Sequence, residues 1–167
     1  DEKNLYMAVA CMEPEPAKLR AEAKLRNQQV WTDDCVEIWL RAGTGKLDFD
    51  QFIVNSIDTQ GDYRMRNGRE AERKNTWQAK TSKGAERWTA EFTIPAADVD
   101  LDAFRHGDRL GLKIGREDHT APETGLAIWP AGAPYAGFDG FSAVYVEDPN
   151  CVAAPALEDR KRWSADA

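Results

Sequence analysis

The chain has 167 residues, 42% of them hydrophobic, with six tryptophans and a formal net charge of −7. That is one domain's worth of chain with enough apolar material for a core, which excludes wholesale disorder. The acidic balance, with lysines and arginines scattered among acids, argues against nucleic acid as partner, because phosphate backbones are bound by basic patches.

Asp1-Glu2-Lys3 leads directly into Asn4-Leu5-Tyr6-Met7-Ala8-Val9-Ala10-Cys11, which reads as a core strand over 4–12 with no visible signal peptide before it. The expectation is that the true N-terminus lies upstream. A polar excursion follows through Pro14, Pro16 and the Ala/Lys/Arg/Glu-rich segment 17–28, a loop with at most one helical turn. Next comes Val30-Trp31-Thr32-Asp33-Asp34-Cys35-Val36-Glu37-Ile38-Trp39-Leu40. Val36, Ile38 and Leu40 alternate with Cys35, Glu37 and Trp39, the period-2 pattern of a strand over 34–41. One face is apolar; the other sets a carboxylate between a thiol and an indole.

Gly43-Thr44-Gly45 makes a turn, and Phe49 to Ile57 alternates again, with Gln51, Ile53, Asn55 and Ile57 on one side. Residues 58–75 read as a long charged loop or a loose hairpin. Strands are expected at 76–81 and 87–94 around Ser82-Lys83-Gly84, the second ended by Pro95, which has no donor for the ladder. A short helix or turn over 96–104 precedes strands at 109–116 and 126–129. The Gly/Pro loop 130–138 displays Tyr135 and Phe138, and a strand over 141–146 closes the sheet. Many short strands with turn signals predict an all-β, antiparallel β-sandwich of jelly-roll or immunoglobulin-like type. Residues 1–149 form this domain; 150–167, rich in alanine, proline and charge, read as a tail or linker. Trp77, Trp88 and Trp129 fall at core positions of the alternation. No apolar run approaches the roughly 18–20 residues a membrane span needs.

Cys11, Cys35 and Cys151 show no metal-binding spacing. Cys11 and Cys35 lie on strands that could be neighbours, so a disulfide between them is open, buried thiols being the commoner explanation. An acid beside aromatic rings at the mouth of a sheet suits a polyol: the ring stacks and the carboxylate accepts hydroxyl hydrogen bonds. A buried acid needs a partner, and Arg116 is the natural one for Glu37, as a structural salt bridge, a ligand-gripping pair, or both. Asp33 and Asp34 more often orient a turn than bind calcium. Glu13, Glu37 and Glu117 are available for glycoside hydrolysis, but nothing singles out a flanking pair. His106 and His119 come without a nucleophile motif. The chain is therefore expected not to be an enzyme.

These segments, in this order, resemble the family 9 carbohydrate-binding modules and the wider DOMON-like β-sandwich superfamily. The resemblance runs through Asn4–Val9, Trp31–Leu40, Gln51-Phe52-Ile53-Val54-Asn55, Trp88–Pro95, Gly111–Arg116, Trp129-Pro130 and Phe141–Val144, about residues 3–147. It implies a non-catalytic module that recognises a saccharide, at a chain end, in an aromatic-lined cleft. Carried over by position, Trp31 and Tyr135 are the two aromatics that sandwich the sugar. Glu13, Glu37, Gln51, Asn55 and Arg116 grip its hydroxyls. Two departures stand out: Ile53 falls where sugar-binding members offer a basic residue, and the loop before the last strand has alanine and glycine in place of an amide.

The family's domains begin a strand or two earlier, which again suggests an incomplete chain. The resemblance also implies an extracellular or periplasmic setting, attachment to a larger enzyme or surface protein, and structural calcium, for which no ligand set is legible here. Two rivals stand beside it. One is a b-type haem electron-transfer domain, with Met7, Met12 or Met65 and His106, His119 or Lys113 as axial ligands. The other is a ligand-free interaction or spacer module.

Overall fold

The computed structural model describes residues 1–74, 76–120 and 124–147, and these form an antiparallel β-sandwich. Its strands are β1 (Asn4–Met12), β2 (Cys35–Arg41), β3 (Phe49–Asn55), β4 (Gln60–Arg66) and β5 (Arg69–Glu70). They continue with β6 (Gln78–Lys83), β7 (Arg87–Pro95), β8 (Arg109–Asp118), β9 (Gly125–Trp129) and β10 (Ser142–Tyr145). One sheet has the order β1-β7-β6; the larger has the order β10-β8-β2-β3-β4-β5, with β9 also on β8. Only short 3-10 turns interrupt this among the described residues, and no helix there is long and apolar enough to cross a membrane.

The predicted alternation sets the layers. Val36, Ile38 and Leu40 of β2 face inward with Phe52 and Val54 of β3, against Trp88, Ala90, Phe92 and Ile94 of β7. Trp77 stacks on Phe92 at 5.9 Å and meets Phe52 edge-on at 5.3 Å. Fully burying each of the larger side chains contributes roughly 1.5–3 kcal/mol, which makes this seam the main cohesion between the sheets. Charge adds a second joint. Arg64 of β4 donates to the Asp98 carbonyl at 3.0 Å and pairs with Asp50 and Asp100. Arg66 bridges the same two acids at 2.7 and 2.8 Å. Asp98 and Asp100 lie in the turn just after β7, so this cluster ties the edge of the large sheet to the small one.

Within the segment read as a charged loop or loose hairpin, residues 60–70 form the second of these, β4 turning into β5. The inward positions of β4 are Asp62 and Arg64, both buried, so no apolar face marked the strand. Asn67 and Gly68 turn it with φ of 52° and 74°, the left-handed pair that a two-residue hairpin needs. The excursion 17–28 is held by the aspartates that follow it. Asp34 accepts from the Arg20 N–H, and Asp33 from those of Glu22 and Ala23. Trp77 and Trp88 are buried as expected, but Trp129 is 45% exposed, because β9 packs only along β8 at the sheet margin.

Cys11 and Cys35 are buried, free thiols. Cys11 points between the sheets and Cys35 points to the opposite face of β2, so the two cannot meet. The tail 150–167, with Cys151, lies outside the described residues.

Candidate ligand-binding face

The outer face of the large sheet, turned away from the sandwich core, carries the unusual chemistry. Strand register puts Glu37 opposite Ile53 on one side and Gly115 on the other, and Trp39 opposite Gln51 and Lys113. Tyr63 of β4 faces Gln51, and Cys35 faces Asn55 and Glu117. Two carboxylates, two amides, a tyrosine and an indole thus gather on one surface.

Glu37 is 2% exposed and saturated by neutral groups. Gln51 donates its amide to one carboxylate oxygen, and Tyr135 donates its hydroxyl to the other at 3.2 Å. The Cys35 thiol sits 3.9 Å from that second oxygen, and Glu117 stands near enough for its charge to act on Glu37. Burial raises Glu37 to about 7, the nearby Glu117 charge adds to the rise, and the Gln51 and Tyr135 hydrogen bonds oppose it. Burial also raises Glu117, against the pull of His119 at 3.3 Å. The Tyr135 hydroxyl is pushed far up by burial and by the Glu37 charge, so it remains a donor.

Aromatic pairs flank this acid on both sides. Trp31, in the 3-10 turn Val30–Thr32, meets Tyr63 edge-on at 5.5 Å, above a small cluster of Ala23, Val30, Cys35 and Ile53. Trp39 meets Tyr135 edge-on at 5.6 Å. Gly115 makes that second pair possible: a Cβ there would sit 2.9 Å from the Trp39 ring and 3.0 Å from Tyr135. Any larger residue would push the tyrosine off the strand.

Of the residues singled out in the sequence, Trp31, Tyr135, Glu37 and Gln51 share this face. Asn55 is also on it but is wholly buried. Its amide nitrogen holds the Ala23 carbonyl and Asp33, and its oxygen takes the Ile57 and Thr59 N–H groups. That side chain braces the Ala23 loop and has no capacity left over. Arg116 and Glu13 are elsewhere. Arg116 stands opposite Val36, one register step from Glu37, and so projects from the other face of the sheet. There it binds the buried Glu13 at 2.8 Å and the Met12 carbonyl. The expected Glu37–Arg116 pair is not formed; Gln51 and Tyr135 take the arginine's place as donors to the carboxylate.

Reading the sequence missed Tyr63 and Lys113 as members of this face, and it placed Trp39 beside Glu37 by alternation without counting it among the ligand-binding residues. Tyr63 sat in the stretch read as a charged loop or loose hairpin, whose inward positions are polar. Among the described residues no three acidic, histidine or cysteine side chains converge as a metal would require, and Asp33 and Asp34 are spent on backbone donors. Of the groups considered for haem, Lys113 is held by carbonyls and His119 lies between Glu117 and Thr124.

Three solved structures share this architecture. A Bacteroides uniformis protein named as a candidate carbohydrate-binding protein superposes with a TM-score of 0.72 at 16% identity, over 87% of this chain and 74% of that one. A family 9 carbohydrate-binding module of Caldicellulosiruptor kristjanssonii in complex with glucose gives 0.65 at 13% identity, over 93% and 76%. Its complex with cellotriose gives 0.65 at 15%, over 92% and 74%. The chain has the fold of these proteins. No protein-family profile matches the sequence, and no curated protein does.

Proposed function

We propose that this domain is a non-catalytic carbohydrate-binding module whose ligand lies on the outer face of the large sheet, between Trp31 and Tyr135. The observation that carries the reading is the convergence there of Glu37, Gln51 and Tyr135 between two aromatic pairs, on a fold shared with modules solved with glucose and cellotriose. Gln51 gives its amide nitrogen to Glu37, which turns its carbonyl oxygen into an acceptor for sugar hydroxyls; the Tyr135 oxygen keeps acceptor capacity too. The indole of Trp31, braced edge-on by Tyr63, supplies a flat apolar surface for the C–H face of a pyranose. Each neutral hydrogen bond is worth about 0.5–1.5 kcal/mol net, so affinity is modest. A saccharide chain end fits a face closed on one side by the Tyr135 loop.

Binding rather than hydrolysis is favoured by the partners of the acids: Glu37 is enclosed by Gln51 and Tyr135, and Glu117 is paired with His119, so both carboxyls are engaged by the protein itself and not set to flank a glycosidic bond. As a module it would belong to a larger protein acting on polysaccharide outside the cytoplasm.

The test is calorimetry and thermal shift against mono- and oligosaccharides, with and without calcium. A ligand that binds only the native state raises the melting point. Trp31→Ala should abolish a detected signal while the fold persists. An unchanged affinity in that variant sinks the assignment of the face, and silence across a broad panel moves the interaction-module reading to first place.

A further inference from the structure

The loop that carries Tyr135 is organised around a buried cation of the protein's own. Lys113, on β8, is 0% exposed, and its ammonium lies 3.2 Å from the Pro134 carbonyl, 3.3 Å from that of Gly137 and 3.4 Å from that of Asp139. It also stands over the faces of Trp39 at 4.8 Å and Phe141 at 5.2 Å. Three carbonyls from six successive residues can converge on one point only if the chain curls around it. Gly137, with φ of 95°, supplies the bend that an L side chain resists.

An ammonium has three hydrogens and no acceptor, so three carbonyls saturate it, and the two ring faces replace part of its lost hydration. Within the loop, Tyr135 lies between two of the accepting carbonyls, and its hydroxyl reaches Glu37.

We infer that Lys113 is a positioning residue. Its ammonium fills a carbonyl cage in the way a bound metal ion fills one in other proteins, and so sets the height of Tyr135 over Glu37 and the shape of the binding face. The consequence for sugar rests on the reading above; the cage itself does not.

Two measurements test it. In the wild-type domain, NMR of the Lys113 ammonium should show slow proton exchange and hydrogen-bond couplings to the carbonyl carbons of residues 134, 137 and 139. In Lys113→Ala, amide exchange over 131–141 should rise roughly ten-fold or more while β1 and β7 keep their protection. Methylammonium should restore that protection, and tetramethylammonium at equal ionic strength should not, because it has no hydrogen to donate. A rapidly exchanging wild-type ammonium, or a folded variant with unchanged loop protection, overturns the inference. If the variant does not fold, the wild-type couplings decide alone. A caged lysine in a protein that binds no saccharide would uphold this inference while removing the proposed function.

Discussion

Two buried charge clusters lie on opposite faces of the same sheet, and they are built on different rules. Between the sheets, Asp50 is met by Arg64 and Arg66, and Asp100 by both arginines and Lys74. On the outer face, Glu37 is met by an amide, a phenol, a thiol and a second acid, with no cation among its hydrogen-bond partners. Burial is the largest influence on both acids, raising Asp50 to about 6 and Glu37 to about 7. At Asp50 the arginines draw the value back; at Glu37 a neighbouring carboxylate pushes it further. A cluster closed by opposite charges is a joint. One closed by neutral groups that can turn toward a ligand, with an acid held near neutrality, has the electrostatic character of a site.

The comparison breaks most sharply at the joint. Arg64→Met should cost about 3 kcal/mol in urea unfolding, at the low end for a severed buried pair because Arg66 still reaches Asp50. A loss under about 1 kcal/mol would show that the pair contributes little to cohesion.

Glu37→Gln should act in the opposite direction. The Glu37 pKa is raised on folding from 4.5 to about 7, so the folded state holds more protons than the unfolded one between those values. Wild-type stability therefore falls as pH rises through that window. The glutamine variant escapes the penalty: its advantage should be absent near pH 4.5 and reach about 2 kcal/mol above pH 7, under a ceiling of about 3 set by the shift. Equal melting points at pH 5 and pH 8 would remove the buried-acid argument. Saccharide affinity should fall in the same variant, separating stability from function.

Smaller changes sharpen the picture within the site. Tyr135→Phe removes a donor to the carboxylate, so Glu37 should titrate higher than in the wild type, at a cost of about 1 kcal/mol. Glu117→Gln removes a like charge, so Glu37 should titrate lower. Carboxyl carbon NMR reads both, and shifts of the same sign would contradict the assignment of these neighbours. Smallest of all, Glu13→Gln should leave saccharide affinity within about two-fold, since that acid serves Arg116 on the other face.

Period-2 alternation was enough to read the sandwich, because in a strand with one buried face every second residue must be apolar. Val36-Ile38-Leu40 and Trp88-Ala90-Phe92-Ile94 carry that rule openly. The same alternation placed Cys35, Glu37 and Trp39 together on the other face, and with them Gln51. It failed at β4, where Asp62 and Arg64 occupy the inward positions as an ion-paired edge, and at Trp129, whose strand has a neighbour on one side only.

What the chain order could not decide is which residues stand opposite one another. Glu37 faces Gly115 and not Arg116 because of a single step in the β2–β8 register, and that step sends the arginine through the sheet to Glu13. The partners of the buried acid, the exhaustion of Asn55 by its own loop, and the cage that Lys113 fills from 21 to 26 residues away are likewise long-range facts. Local propensity fixes the face on which a side chain emerges; only packing in three dimensions fixes what it meets there.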